Sequence, residues 1–395
     1  MQRGNNILGN KSITFSALAL VIFGSIMIAS AEMGNSVGDA NYLTGVIVRQ
    51  VIYAVAGLIC YFSFMHIKLN KLKTKYFYSM YVILAFILLS CLAFGSTNGA
   101  YAWIRIGSFG TIQPSEFAKV FMIMFGAKLM GTDHKERNIN SFIIFVVAAF
   151  IYFIIIAFIQ HDFGSAVVLF TICYCIAMIP PYKELRKIQR YMSFIVIGVI
   201  VLIVLLLSNP VTELMKSHSD NYMIGRFLAA ADPFLYRFDN GYHVIMSLVS
   251  FANGGIFGLG YGNSIHKYMN FPNPSNDFIL PVIVEELGII GFAGFVIAYC
   301  FLLIPIIRAS LKTKYISSKM IFLGVFTYFI VHFILNVGGV SALIPLTGVP
   351  LLLISSGGSS LVASLMGLGF AQCELNRNRK KEDENNSREV QENAN

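Results

Sequence analysis

The sequence predicts an all-α, polytopic integral membrane protein that crosses the bilayer about ten times with both termini in the cytoplasm. Of its 395 residues, 56% are hydrophobic and only 12% are charged, whereas a soluble domain carries roughly 25% charged residues. The apolar residues fall in blocks long enough to span a bilayer. Basic residues concentrate in alternate loops, as expected for a membrane protein of fixed orientation.

The predicted spans account for most of the organisation of the chain. Ten helices of roughly 20 residues use about half of it, which leaves one sizeable loop but no separate soluble domain. The predicted membrane domain covers residues 1–371 and includes a large outer loop at 209–278, whereas the polar residues 372–395 are predicted to be a disordered cytoplasmic tail. The predicted spans are 13–31, 46–64, 76–94, 114–130, 141–159, 163–180, 191–208, 279–305, 320–336 and 350–371.

Lys and Arg give the orientation of these spans. Most of the 29 basic residues precede the first span, follow the tenth, or lie in alternate loops that are therefore predicted to be cytoplasmic. The outer loops 32–45, 160–162 and 337–349 contain none. The net charge of +9 therefore reflects membrane orientation, and nucleic acid is not an expected partner. The six cysteines lie in or beside apolar segments and are expected to be packing residues, with no disulfide framework.

Charged residues within or beside the outer halves of the spans are candidate functional groups, because a charge is costly to bury in a membrane. Their clustering predicts a polar cavity open to the outside, whose substrate would be amphiphilic. Glu116 and Lys119 are three residues apart and share a helix face, so for them structural pairing and function both stay open. The full set is Arg49, Glu116, Lys119, Asp162, Asp277, Glu285 and Glu286.

Other polar or glycine-rich features have structural interpretations. The glycines of 254–262 lack the Gly-Lys-Ser/Thr ending of a P-loop, and are expected to allow sharp turns or close packing. His332 and Asn336 share a helix face and are expected to bond between helices. The segment 95–113 is too short to span, and its Trp103 is expected at the headgroup level.

Several motifs occur in an order that resembles one family over nearly the whole chain, up to about Phe370. The sequence resembles the SEDS proteins (shape, elongation, division and sporulation), the bacterial FtsW/RodA/SpoVE group. The motifs are Gly99–Ile104, Gln113–Lys119, Asp162–Gly164, Asp232–Phe234, Gly254–Gly260, Asn276–Ile279, Glu285–Gly288, Asn336, Pro345–Pro350 and Ser355–Ser360. Departures from the family pattern occur at Ala102, His243, His266, Leu352 and Ser356.

The resemblance implies a SEDS-type fold in the bacterial cytoplasmic membrane and a peptidoglycan glycosyltransferase that polymerises lipid II outside it. It also implies a class B penicillin-binding protein as partner, together with other division or elongation proteins. The motifs 276–279 and 345–350 resemble division-type and sporulation-type members more than RodA. Whether the protein acts at the division septum stays open. A lipid II flippase and a non-catalytic scaffold of the division machinery are the alternatives.

The same resemblance assigns site residues. Asp277 matches the proposed catalytic Asp and is expected to act as general base in an inverting transfer; the alternative is a helix N-cap. No cofactor is assigned, and a divalent metal ion (Mg or Mn) is left open as a further counter-charge for pyrophosphate. The residues expected to bind substrate are Arg105, Glu116, Lys119, Asp162, Arg226, Lys267, Glu285, Glu286 and Ser359.

Overall fold

The structure is a computed structural model, and it confirms an all-α bundle. It describes residues 10–37, 39–67, 69–97, 99–107, 110–131, 139–206, 228, 230–236, 240–269, 271 and 273–394. The only sheet in these ranges is a hairpin of two-residue strands, β1 (Ile104–Arg105) and β2 (Thr111–Ile112), in which Ile104 pairs with Ile112.

The described helices follow the predicted apolar blocks, with one additional helix in the predicted outer loop. They are α1 (Lys11–Ala31), α2 (Ala40–Phe64), α3 (Thr74–Ser90), α4 (Pro114–Met130), α5 (Ile139–Ile154), α6 (Phe163–Ala177), α7 (Arg186–Leu206), α8 (Asn240–Gly254), α9 (Ile279–Lys312), α10 (Ile316–Val340) and α11 (Gly358–Ala394). A 3-10 turn at Cys91–Phe94 lengthens α3, and a π turn at Ile155–Ile159 lengthens α5.

Six helices in the described ranges are long and apolar enough to cross a membrane, namely α1, α2, α3, α5, α9 and α10 with their extensions. The predicted spans at 114–130 and 163–180 correspond to α4 and α6, which have 17 and 15 residues. The predicted tenth span starts at 350, whereas α11 begins at Gly358. The protein is thus a multi-pass membrane protein, while the number of ten crossings and the placement of both termini stay predictions.

Helix α4 lies at the centre of the bundle. Nearly all of its residues are buried, including Glu116 and Lys119, and it packs against α6, α10 and α11. Helices α3 and α5 instead expose large apolar side chains on the outside of the bundle, including Phe86 at 68% and Phe150 at 60% exposure. Such surfaces suit lipid contact.

Helix α11 continues where the sequence predicts a disordered tail from residue 372. Its first residues beyond that point are buried and bonded: Gln372 Nε2 donates to the Asn10 carbonyl at 3.0 Å, and Ser318 Oγ donates to Glu374 at 2.7 Å. Composition alone missed this because a few specific polar contacts hold the helix, while the remaining residues as far as Ala394 are strongly polar.

Helix α9 is broken at Gly288, whose φ is +67° and ψ −169°. The chain after α8 fills the break: Leu259 N and Gly260 N donate to the carbonyls of Glu285 and Glu286. In return, the amides at 289 and 290 donate to the carbonyls at 255 and 256. The close packing expected of the glycines is therefore present.

Candidate active site

A polar cavity of about 420 Å³ opens at the end of the bundle that is predicted to face outside. We call this the cavity end, and the opposite end the basic end. Its wall combines the end of α1 and the first half of α2 with the hairpin, the segment 273–277, the loop 348–350 and the start of α11. Its polar lining includes Glu32, Asn35, Arg49, Gln50, Gln113, Asn276, Asp277 and Ser359.

Asp277 lies half-buried on this wall, two residues before α9 begins. The N-cap of α9 is Phe278, and no side-chain hydrogen bond caps the helix. The assignment of Asp277 as general base or as helix cap stays a prediction. Asn336 Nδ2 donates to the carbonyls of Asp277 and Val349, at 2.9 Å each. One buried side chain of α10 thus fixes the two segments that flank the carboxylate.

Gly348 lies beside that carboxylate. Its φ is +68°, a conformation that disfavours any side chain. A Cβ added there would lie 3.4 Å from Asp277 Oδ2. At Gly348 the motif Pro345–Pro350 therefore brings backbone close to Asp277.

Glu32 anchors the segment before Asp277, and it was missing from the residues predicted to form the site. It is only 6% exposed, and it accepts hydrogen bonds from Ser275 Oγ, from Asn35 Nδ2 at 2.8 Å and from Tyr42 OH at 2.9 Å. Since Glu32 follows the end of α1, it ties α1 and α2 to the loop that carries Asp277. A single Glu after an apolar block gives no sequence signal of this role.

The start of α11 forms part of the cavity wall, where Gly358, Ser359 and Ser360 line it. A helix N-terminus favours a negative group. Ser359 Oγ also accepts from Gln113 N at 2.8 Å, and Gln113 Nε2 donates to Asp162 Oδ2 at 2.8 Å. Asp162 caps α6. It does not line the cavity, but it positions Gln113, which does.

Glu116 and Lys119 do not reach the cavity. Both are 0% exposed, and Lys119 Nζ pairs with Glu116 Oε1 at 2.7 Å. Tyr328 OH donates to Glu116 Oε2 at 2.7 Å, and His332 Nδ1 lies 3.0 Å from the carbonyl of Pro350, a lining residue. The structure shows the pairing that was kept open, in a network beneath the cavity, and the substrate contact stays a prediction.

A second buried network holds Lys267, Glu285 and Glu286, which were also predicted to bind substrate. Lys267 Nζ pairs with Glu286 Oε1 at 2.7 Å, and both side chains are 0% exposed. His266 Nδ1 lies 2.6 Å from Glu285 Oε1, which gives this departure from the family pattern a defined partner. Ser30 Oγ donates to Glu286 at 2.7 Å. The network therefore joins three parts of the chain: α1, α9, and the segment that connects α8 to α9.

The two remaining predicted substrate ligands are arginines. Arg105 is exposed on β1, where it pairs with Thr111, a cavity-lining residue, so it lies near the rim. Arg226 falls outside the described residues. Arg49 of α2, which the charge pattern singled out but the resemblance did not, is exposed and lines the cavity. Trp103 is half-buried on the cavity wall.

Comparisons with known proteins agree with this architecture. A family model described as "Cell cycle protein", FtsW/RodA/SpoVE, matches residues 10–380. The chain belongs to the FtsW/RodA/SpoVE family. Stage V sporulation protein E of Bacillus subtilis (strain 168) is 33% identical over 361 residues, which cover 89% of this chain and 93% of that protein. The protein named "Probable peptidoglycan glycosyltransferase FtsW" of the same strain is 30% identical, with 91% and 88% coverage.

Solved structures show the same fold for this family member. A chain from "Structural coordination of polymerization and crosslinking by a peptidoglycan synthase complex" has a TM-score of 0.71 at 21% identity, and the match covers 94% of this chain and 98% of that one. The rod shape determining protein RodA of Thermus thermophilus has a TM-score of 0.62 at 21% identity, with 94% and 97% coverage. The predicted SEDS fold is thus confirmed.

The described residues of this FtsW/RodA/SpoVE protein do not form a metal site of their own. No group of three or more His, Cys, Asp or Glu suited to a metal occurs among them. Of the two carboxylates that line the cavity in these ranges, Glu32 is already bonded to three side chains. The divalent ion stays a prediction, and the mechanism below uses no step through it.

Proposed function

We propose that the protein is a peptidoglycan glycosyltransferase that polymerises lipid II on the outer face of the cytoplasmic membrane, with Asp277 as general base. The observation that carries the proposal is the position of Asp277. The carboxylate lies on the wall of the polar cavity, and Asn336 fixes the backbone of the same residue through its carbonyl. The cavity volume of about 420 Å³ falls in the range of roughly 300–1,000 Å³ that is common for ligand sites.

The chemistry requires one base and one anion site. Lipid II carries its sugar on an undecaprenyl pyrophosphate, and an α-linked donor gives a β-linked glycan by a single in-line displacement. The 4-hydroxyl of the acceptor sugar attacks the anomeric carbon, the bond to pyrophosphate breaks, and Asp277 takes the hydroxyl proton. A base of this kind is worth roughly 10²–10⁴ in rate.

Two features of the cavity suit the leaving pyrophosphate. The first turn of α11 lines the cavity, and a helix N-terminus favours an anion. Arg49 adds a cation on the same cavity, and Arg105 lies near its rim. Pre-placed positive groups stabilise charge that develops in the transition state. The buried Glu116–Lys119 and Lys267–Glu286 pairs have a structural role in this proposal: they hold the helices that form the cavity walls.

The test is an Asp277→Asn variant, purified with its partner and incubated with labelled lipid II. Asp39→Asn is the matched control, because Asp39 is an exposed carboxylate that caps α2 and Asn is also a good cap. Asp277→Asn should assemble normally yet make no glycan, whereas Asp39→Asn should polymerise normally. Near-normal polymerisation by Asp277→Asn would refute the base assignment. Lipid movement across liposomes without polymer would favour the flippase.

The proposed partner is a class B penicillin-binding protein docked on the outer loops and nearby helices. Support comes from the similarity to a chain of a peptidoglycan synthase complex. The partner would cross-link the strands made in the cavity. Purification of the native complex should recover such a protein, while repeated isolation of a fully active monomer would contradict this part of the proposal.

A further inference from the structure

A second cavity, of about 630 Å³, lies at the basic end of the bundle. It is a groove between the start of α1, the last turns of α9 and the polar half of α11. Phe301 and Ile304 form an apolar wall and are 61% and 41% exposed. Three exposed cations from two helices, Arg308, Lys312 and Arg379, complete the lining.

The groove is preformed by specific hydrogen bonds. Pro305 has no N–H, so it leaves the carbonyl of Phe301, four residues earlier, without its helical donor. Ser12 Oγ of α1 donates to that carbonyl at 3.0 Å. On the other side, Asn378 Nδ2 of α11 donates to Thr313 Oγ1 at 2.9 Å. The three helices are thereby held at a fixed separation around the groove.

The cations of the groove have no acidic partner in the described part of the chain. None of Arg308, Lys312 and Arg379 forms an ion pair within 4 Å there. Glu382 is the one acidic residue among the described lining residues. Basic residues at a cytoplasmic end are expected in any membrane protein. That rule does not explain why basic residues of two helices line one groove that also has an apolar wall.

We propose that this groove binds an anionic phospholipid of the leaflet at the basic end. The phosphate lies among Arg308, Lys312 and Arg379, and an acyl chain follows the apolar wall of α9. Phe301 precedes Arg308 by seven residues, which is about 10 Å along a helix. A free phosphate bound at Arg308 would not cover Phe301, whereas a lipid would cover both Arg308 and Phe301. Basic pockets between membrane helices are known sites for anionic headgroups.

The experiment measures retention of phosphatidylglycerol and of phosphatidylcholine by the purified full-length protein with native mass spectrometry. Each basic residue near a membrane surface contributes about 1 kcal/mol to binding an anionic lipid, or about five-fold in affinity. The variant Arg308→Gln/Lys312→Gln/Arg379→Gln should therefore bind phosphatidylglycerol about 100-fold more weakly. Phosphatidylcholine binding should be unaffected.

The matched control is Lys71→Gln/Lys73→Gln/Lys75→Gln. It removes three exposed cations from the same predicted face but outside the groove, and it should retain phosphatidylglycerol. Equal loss of lipid in both triple variants would mean diffuse surface charge and would overturn the site. If the groove triple variant does not fold, Arg379→Gln alone should weaken binding about five-fold.

A thermal-unfolding series separates lipid from free anion. Phosphatidylglycerol should raise the unfolding temperature of the wild-type protein, and the rise should be smaller in Arg379→Gln. Inorganic phosphate at the same concentration should have no such effect. Equal stabilisation by phosphate, or by phosphatidylcholine, would overturn the proposal.

Discussion

Removal of one partner from the Lys267–Glu286 pair should destabilise the protein strongly. The two side chains are 0% exposed and 2.7 Å apart, so either substitution leaves a charge without its counter-ion in a dry environment. Breaking such a pair costs about 3–5 kcal/mol. Ser30 still bonds Glu286 in Lys267→Met, which places that variant near the lower end, at about 3 kcal/mol.

A double-mutant cycle tests this reasoning. Lys267→Met combined with Glu286→Gln removes both charges, so the double variant should cost no more than the worse single variant. The coupling energy should then be about 3 kcal/mol, which is the top of the usual range for neighbouring residues. The assay is unfolding of the purified protein in detergent, with all four forms measured under one set of conditions.

The control cycle uses the Arg377–Glu374 pair of α11. Its atoms lie 3.0 Å apart, but the Arg side chain is 21% exposed, and pairs with access to water contribute about 0–1 kcal/mol. If the Lys267–Glu286 losses were simply additive, or no larger than in the control cycle, the two charges would not be coupled and the assigned role of the network would be wrong.

Three further predictions follow from the fold. Gly288→Ala should prevent correct folding, because its Cβ would lie 2.2 Å from a carbonyl oxygen, whereas Gly294→Ala, with open space, should gain about 0.5–1 kcal/mol in unfolding measurements. Asn336→Ala removes two hydrogen bonds of about 1 kcal/mol each; polymerisation should fall more than stability, and an equal fall in both would indicate a purely structural role. A reporter at the C-terminus should be cytoplasmic and one inserted at Ser217 external; the same side for both would contradict the topology.

Sequence reasoning predicted the features that depend on short-range periodicity. Apolar blocks identified the spans, and the spacing of Glu116 and Lys119 anticipated a pairing that the structure shows. His332 and Asn336 do bond to segments outside their own helix, to Pro350 and Val349. Each of these follows from the helical repeat alone.

The remaining features depend on contacts between distant segments. Lys267 and Glu286 are separated by an irregular stretch, so no periodicity predicts that they meet. Glu32 meets Ser275 across 243 positions of the chain. The order of α11 beyond residue 372 likewise depends on Asn10 and Ser318, which belong to other helices.

The break in α9 has a consequence for biogenesis. With α9 broken at Gly288, the carbonyls of Glu285 and Glu286 and the amides of residues 289 and 290 depend on 255–260 for partners, and each unpaired group costs several kcal/mol in lipid. The chain that satisfies them, 255–260, is made before α9 is complete. The break in α9 can therefore be stabilised as soon as α9 has formed, provided that 255–260 packs against it.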